Sequence, residues 1–300
     1  MPNLPIDLSL RSLINDLKNI SWQACDILLY YSQRIKDERF KSKLIKTKNN
    51  NEPVTLADFE VNSLIIQEIK KKYNKTLGNI LSEEGVKDHN LFDNDWLWIL
   101  DPLDGTKDFI QSTENFAMHL ALNFKKKPFL GVVLIPMKEE LWITDGNQVW
   151  CENKRGVRKE TNLSHNKVLN NMTIVTSKNH NNQFLKNLIN KIRFKNVVEM
   201  GSIGCKISSI LKGESDIYIS FSMPGKSSPK DWDFAAPEII LRNAGGAITN
   251  LYNEELSYNQ LDFKQEGMII ASNDINNHKN ICLEIQNIIN KYDLLPPRTN

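Results

Sequence analysis

The stretch Trp96-Leu97-Trp98-Ile99-Leu100-Asp101-Pro102-Leu103-Asp104-Gly105-Thr106 opens with a continuous apolar run that ends at Asp101. A short unbroken apolar run bounded by polar residues has the composition of a buried strand, not of an amphipathic helix. A carboxylate is therefore delivered where a buried strand ends. Pro102 fixes φ just beyond it, and Gly105 opens backbone geometry closed to other residues. Gly105 and Thr106 then start a turn or helix whose free N–H groups can receive a phosphate. Asp-Pro and Asp-Gly are also common turn dipeptides, and each alone would be read that way.

Upstream, Asp7 precedes apolar residues at Leu10, Leu13, Ile14, Leu17, Ala24, Leu28 and Tyr31, which predicts an amphipathic helix capped by an acid. A polar stretch over 41–52 reads as a loop, and Pro53-Val54-Thr55-Leu56-Ala57-Asp58 leads into a second helix with Val61, Leu64, Ile65 and Ile69 on its apolar face. Downstream, 117–124, 129–135 and 140–144 read as strands, so the first half is two helices followed by a mostly antiparallel sheet. The second half alternates. Strands are predicted at 172–176, 196–199, 216–220, 247–251 and 268–271, and helices at 182–192, 204–212, 232–243 and from about 276. Such alternation predicts an α/β unit. The polar stretch 159–171 is the expected boundary, giving an N-terminal α+β part over 1–165 and a C-terminal α/β part over 166–300.

Thirty-eight basic against thirty-six acidic residues leave a net charge of +2, which gives no reason to expect a nucleic-acid or membrane surface. Lys70–Lys72 and Lys125–Lys127 read as solvated faces. No basic segment followed by an apolar run opens the chain, and no apolar stretch approaches the ~20 residues that cross a bilayer. Cys25, Cys151, Cys205 and Cys282 are scattered, which fits buried thiols in a reducing compartment. A cytoplasmic protein is expected.

Besides Asp101 and Asp104, acids stand at strand ends or helix starts in Glu83-Glu84, in Asp58 after Pro-Val-Thr, and in Asp233 after Trp232. Hard divalent cations such as Mg²⁺ take several oxygen ligands at ~2.1 Å. Carboxylates clustered without a cation repel one another and raise their own pKa values. Metal ligands beside a phosphate cradle are the minimum set for metal-assisted phosphoryl hydrolysis. His119, inside an apolar strand, reads as a packing or supporting histidine; His89, His165, His180 and His278 lie in polar contexts and form no zinc-like cluster.

The run Trp98 to Phe109 resembles the first signature of the inositol monophosphatase superfamily of lithium-sensitive, Mg²⁺-dependent phosphatases. Trp232-Asp233-Phe234-Ala235-Ala236-Pro237-Glu238, followed by Gly245-Gly246, resembles the second. Ser82-Glu83-Glu84-Gly85 is similar to the family's Gly-Glu-Glu element, with Ser82 replacing Gly, and Pro53 to Asp58 is similar to its Pro-Val-Thr-x-x-Asp element. The resemblance implies a layered αβαβα sandwich and two or three Mg²⁺ ions. Glu83, Asp101 and the Leu103 carbonyl would hold one ion, and Asp101, Asp104 and Asp233 a second. Thr106 and Asp58 would orient and deprotonate the attacking water, while Gly105 and Thr106 would bind phosphate through backbone N–H groups. Gln111 departs from the signature's usual residues, outside the metal ligands.

The substrate reading rests on other residues. Counting back seven from Asp233, where inositol phosphatases usually carry Glu, reaches Lys226, which suits a second phosphate rather than ring hydroxyls. Gly201-Ser202-Ile203-Gly204-Cys205-Lys206 resembles the nucleotide-side segment of bisphosphate nucleotidases, so Gly201, Ser202 and Lys206 are candidate substrate contacts. An exposed helical lysine and turn glycines would explain them equally well. Trp-Asp paired with Ala-Pro-Glu also resembles that branch and its bacterial CysQ members. The expected activity is removal of the 3′-phosphate of 3′-phosphoadenosine 5′-phosphate by a monomer or homodimer; the alternatives are an inositol or sugar phosphatase, or a non-catalytic metal- or nucleotide-binding regulator.

Overall fold

Residues 4–5, 8–48, 52–73, 76–85, 94–165, 167–178, 183–223, 225, 227–260 and 262–294 are described by a computed structural model. Helix α1 (Leu10–Arg34) buries Leu13, Ile14, Leu17, Ala24 and Leu28, as the three-and-four spacing predicts. Its cap is Ser9, whose Oγ accepts the Ser12 N–H at 3.1 Å; Asp7 lies outside the described residues. The polar stretch read as a loop begins inside a short helix, α2 (Glu38–Leu44), which buries only Leu44 and so carries no apolar period to detect. It continues as β1 (Ile45–Thr47), paired antiparallel with β2 (Pro53–Thr55). Helix α3 (Leu56–Tyr73) follows at once and buries Ala57, Val61, Ile65 and Ile69.

The first sheet has seven strands in chain order: β3 (Ile80–Ser82), β4 (Trp96–Asp104), β5 (Ala117–Phe124), β6 (Lys127–Ile135), β7 (Glu140–Thr144), β8 (Val149–Glu152) and β9 (Arg158–Lys159). Strand β3 runs parallel to β4, and the remaining pairs are antiparallel. Trp98 and Leu100 of β4 pack toward α1 and α3, while Leu97 and Ile99 pack toward the other face. Burial on both faces is why β4 reads as an unbroken apolar run.

The second sheet contains β10 (Thr173–Ser177), β11 (Asn196–Met200), β12 (Ile217–Ser222), β13 (Ala247–Asn250) and β14 (Gly267–Ser272), in the order β11-β10-β12-β14-β13. Its first three strands are mutually parallel, but β14 is antiparallel to both neighbours, because no helix separates β13 from β14. Helices α4 (Thr106–Ile110), α5 (Gln183–Ile192), α6 (Ile203–Leu211), α7 (Asp231–Asn243) and α8 (Ile275–Lys291) complete the set.

Three apolar cores stack these elements. One joins α1 and α3 to the seven-stranded sheet, a second sandwiches α6 and α7 between the two sheets, and a third joins the five-stranded sheet to α5 and α8. The result is an αβαβα sandwich whose middle layer, α6 and α7, comes from the second half of the chain and packs against both sheets. Helix α7 lies so close to β6 that a Cβ at Gly131 would sit 2.7 Å from Ile239 Cγ2 and 3.1 Å from the Ala236 carbonyl. Gly131→Ala is expected to cost about 1–3 kcal/mol by overpacking, read as a lowered urea midpoint with an unchanged slope.

Among the described residues no helix is long and apolar enough to cross a membrane. All four cysteines are buried and free of disulfides. His278, whose sequence context is polar, is nevertheless buried in α8 between the Thr249 and Ser272 hydroxyls, 2.7 Å from each, and burial pulls its pKa down to about 4.

Candidate metal centre and active site

Parallel pairing of β3 with β4 sets Ser82 beside Leu100, so Glu83 and Asp101 follow on neighbouring strands. Residues three apart on a regular strand face opposite sides. Between Asp101 and Asp104 the register with β5 shifts, and this irregularity around Pro102 lets both carboxylates turn to one spot. Asp233 arrives from the first turn of α7, where its Oδ2 accepts the Lys230 N–H at 2.5 Å and closes the helix start. One oxygen from each of Asp101, Asp104 and Asp233 lies within 4.8 Å of the others.

Burial pushes the Asp101 carboxyl well above the usual range, reinforced by Glu83, Asp104 and Asp233. Burial likewise raises Asp233, helped by Asp104 and Glu83 and opposed by the Lys230 N–H. Asp104 differs. Burial pulls it up, but His119, Lys206 and Ser202 outweigh this and hold it at about 2. Its Oδ2 accepts from Ser202 Oγ at 2.7 Å and from the Gly204 N–H at 3.0 Å, with His119 Nε2 3.2 Å away. Lys48 Nζ lies 2.7 Å from Glu83 Oε1 and also pairs with Glu84.

A donor set of carboxylate oxygens without nitrogen or sulfur suits a hard divalent cation. The raised Asp101 and Asp233 mark concentrated negative charge that such a cation offsets. Asp101, Asp104 and Asp233 would hold it, with Glu83 and the Leu103 carbonyl alongside.

Asp58 stands in the first turn of α3, where its Oδ2 accepts from Thr55 N at 2.7 Å and Thr55 Oγ1 at 2.6 Å. Helix capping alone would explain that oxygen. The other, Oδ1, faces Thr106 Oγ1 at 3.4 Å, and Thr106 Oγ1 is also 3.1 Å from the Leu103 carbonyl. Burial, opposed by the Thr55 hydrogen bonds and aided by Glu83 and Glu84, pushes Asp58 up to about 7. Gly105 has φ +91°, and a Cβ there would meet the Asn115 carbonyl at 2.8 Å, so a side chain fits neither the backbone nor the space.

The segment 201–206 lies behind Asp104. A Cβ at Gly201 would fall 2.1 Å from Asp108 Oδ2. Ser202, at φ +54°, caps α6 by accepting the Cys205 N–H at 3.1 Å while its hydroxyl donates to Asp104. Lys206 is 2% exposed, its ammonium 3.1 Å from the Ser202 carbonyl and over the Tyr218 ring. It is buried near the Asp104 carboxylate and is not an exposed helical lysine. Lys226 lies outside the described residues.

Residues 14–290 match the profile of the inositol monophosphatase family. The chain belongs to that family. The 3′(2′),5′-bisphosphate nucleotidase CysQ of Buchnera aphidicola is 30% identical over 238 residues, covering 78% of this chain and 82% of the relative. The inositol-1-monophosphatase of Bacillus subtilis is 28% identical over 231 residues, covering 75% and 83%. An IMPase structure from Thermotoga maritima superposes with a TM-score of 0.73 at 22% identity, covering 93% of this chain and 99% of its own. As an inositol monophosphatase family phosphatase, the protein acts on phosphoric monoesters and takes a small phosphate ester as substrate.

Lys48 and Thr55 escape a reading of the sequence, whereas His119 reads there as a packing or supporting histidine and not as a ligand. Lys48 sits in a polar, lysine-rich stretch with nothing to single it out. Thr55 was visible only as part of a motif, whereas its hydroxyl holds the Asp58 side chain. Ser82, the departure from the family's Gly, donates to Asn62 Oδ1 at 2.6 Å and so ties the start of the Glu83 segment to α3.

Proposed function

We propose that this family phosphatase is Mg²⁺-dependent and removes the 3′-phosphate of 3′-phosphoadenosine 5′-phosphate, yielding AMP and phosphate. The reading is carried by the CysQ relative, which spans most of both chains, and it is supported by the cluster of Asp101, Asp104 and Asp233. Bound Mg²⁺ supplies charge neutralisation and an acidified water. Asp58, oriented by Thr55, accepts a proton at Oδ1 through the Thr106 hydroxyl, which aligns the attacking water. The Gly105–Thr106 backbone receives the phosphate, while Ser202 and Lys206, buried behind Asp104, support that carboxylate and do not form an open substrate wall.

The second reading, an inositol phosphatase, is favoured by the Bacillus subtilis relative at 28% identity. Phosphate release with Mg²⁺ from the bisphosphate nucleotide and from inositol 1-phosphate separates the two. The nucleotide is expected to be hydrolysed with at least about tenfold higher kcat/KM, a difference of about 1.4 kcal/mol in transition-state binding. Faster release from the inositol ester overturns the preference. Absence of release from every ester, with metal binding intact, would favour a binding regulator instead.

A further inference from the structure

We propose that His119 is a positioning residue for the carboxylate cluster, and that Gly204 is the glycine its ring requires. The proposal rests on reading Asp104 and Asp233 as cation ligands. His119 is fully buried in β5. Its Nε2 faces Asp104 Oδ2 at 3.2 Å, and its Nδ1 lies 3.4 Å from the carbonyl of Trp232, the residue before Asp233. One ring thus spans two ligands that come from different layers: Asp104 from the end of a strand and Asp233 from the start of α7. Buried rings that hydrogen-bond to metal ligands orient them, and their loss weakens metal affinity more than their distance from the ion suggests.

Gly204 makes room for this bridge. A Cβ there would fall 2.3 Å from His119 Nε2, closer than any tolerable contact, and 2.8 Å from Val133 Cγ1 and 3.0 Å from Ala117 Cβ. The same glycine donates its N–H to Asp104 Oδ2, so ring and amide converge on one oxygen from two sides. Ser202 Oγ and the Gly204 N–H both donate to Oδ2, with the His119 ring 3.2 Å from the same oxygen, so Oδ1 is the oxygen left to a cation. A side chain at 204 would push the ring away from the carboxylate it steadies.

The test is direct titration of Mn²⁺, and of Mg²⁺ by competition, into the full-length protein, with melting temperature measured in EDTA as a separate readout. His119→Leu keeps the bulk and removes both polar contacts, and is expected to weaken Mn²⁺ binding about tenfold or more. His119→Gln, whose amide nitrogen can stand where Nε2 stands, should recover most of that loss. His119→Asn can reach only the Trp232 carbonyl and should recover little. Gly204→Ala should weaken binding about as much as His119→Leu in the parent, but much less in a His119→Ala background, where only the Val133 and Ala117 contacts remain. Binding within threefold of the parent for His119→Leu overturns the proposal. So does a loss that Gln and Asn rescue equally, or one that tracks the fall in melting temperature across the series. If a variant does not fold, the Gln and Gly204→Ala arms still decide. No phosphate ester is used, so a different substrate preference leaves the result standing, while failure of the parent to bind Mn²⁺ removes the cation site and the proposal together.

Discussion

Asp104→Asn and Asp233→Asn should each lower kcat/KM by about a thousandfold or more, yet move the stability of the metal-free protein in opposite directions. A thousandfold corresponds to about 4 kcal/mol, the scale of transition-state charge stabilisation lost with one charged ligand of a bound cation. The opposite stability shifts follow from the two environments. Burial and the neighbouring Asp104 and Glu83 raise Asp233, so its ionised form opposes folding. That penalty is absent below the unfolded carboxylate pKa of about 3.9 and grows as pH rises from there toward the folded value. An amide removes it, and melting temperature in EDTA at neutral pH should rise. Asp104 is held at about 2 because His119, Lys206 and Ser202 outweigh burial, so its ionised form favours folding. That contribution is present above the unfolded pKa and fades only as pH falls toward about 2. Removing the charge at neutral pH should therefore lower the melting temperature. Melting curves in EDTA beside phosphate-release assays in Mg²⁺ check both halves. Equal shifts of the same sign would contradict the charge balance described for the cluster. The parent itself should melt higher at pH 5 than at pH 8 in EDTA, with added Mg²⁺ narrowing or reversing the gap.

Much of this arrangement could be read from the chain, for identifiable reasons. An apolar run with both faces buried is visible because composition alone marks it, and β4 was such a run. Acids at the ends of β3 and β4 could be listed as candidates, but their meeting depends on the parallel register that pairs Ser82 with Leu100 and on the shift between Asp101 and Asp104. Local sequence carries neither. Helix α2 was hidden because it buries a single residue and is otherwise charged. The antiparallel β14 was hidden because alternation reports connection type and not strand direction. The support around Asp104 was the least legible. Ser202, Gly204, His119 and Lys206 come from two distant segments, and a lysine in a helix with polar neighbours gives no sign that it is 2% exposed beneath a carboxylate. His119 announced itself only as a polar residue in an apolar strand, a pattern that fits packing and site support alike.

Asp58→Asn and Thr106→Ala should form the second large-effect pair, each lowering kcat about a hundredfold to ten-thousandfold while leaving Mn²⁺ binding within threefold. Thr55 holds Asp58 Oδ2 with two hydrogen bonds, which fixes Oδ1 toward the Thr106 hydroxyl at 3.4 Å. That hydroxyl has one proton and two nearby acceptors, Asp58 Oδ1 and the Leu103 carbonyl. When the proton points to Asp58, the oxygen's lone pairs are free to align a water, and a route to a carboxylate exists. An amide at 58 keeps the Thr55 contacts only if its oxygen takes the Oδ2 place, which turns its NH₂ toward Thr106 and leaves no acceptor. Thr106→Ser keeps the hydroxyl and should stay within about tenfold of the parent, whereas Thr106→Ala loses it. Because the two residues act as one relay, the double variant should be no worse than about threefold below either single one. The pH profile provides the sharper check. Burial, with Glu83 and Glu84, sets Asp58 near 7 before any cation is bound, and a cation at the neighbouring acids lowers it by offsetting that charge. The acid limb of kcat in Mg²⁺ should therefore fall below pH 7 in the parent, persist in Thr106→Ser and vanish from the residual activity of Asp58→Asn. Additive losses in the double variant, or an unchanged acid limb in Asp58→Asn, would assign the proton to another group and leave Asp58 as a helix cap.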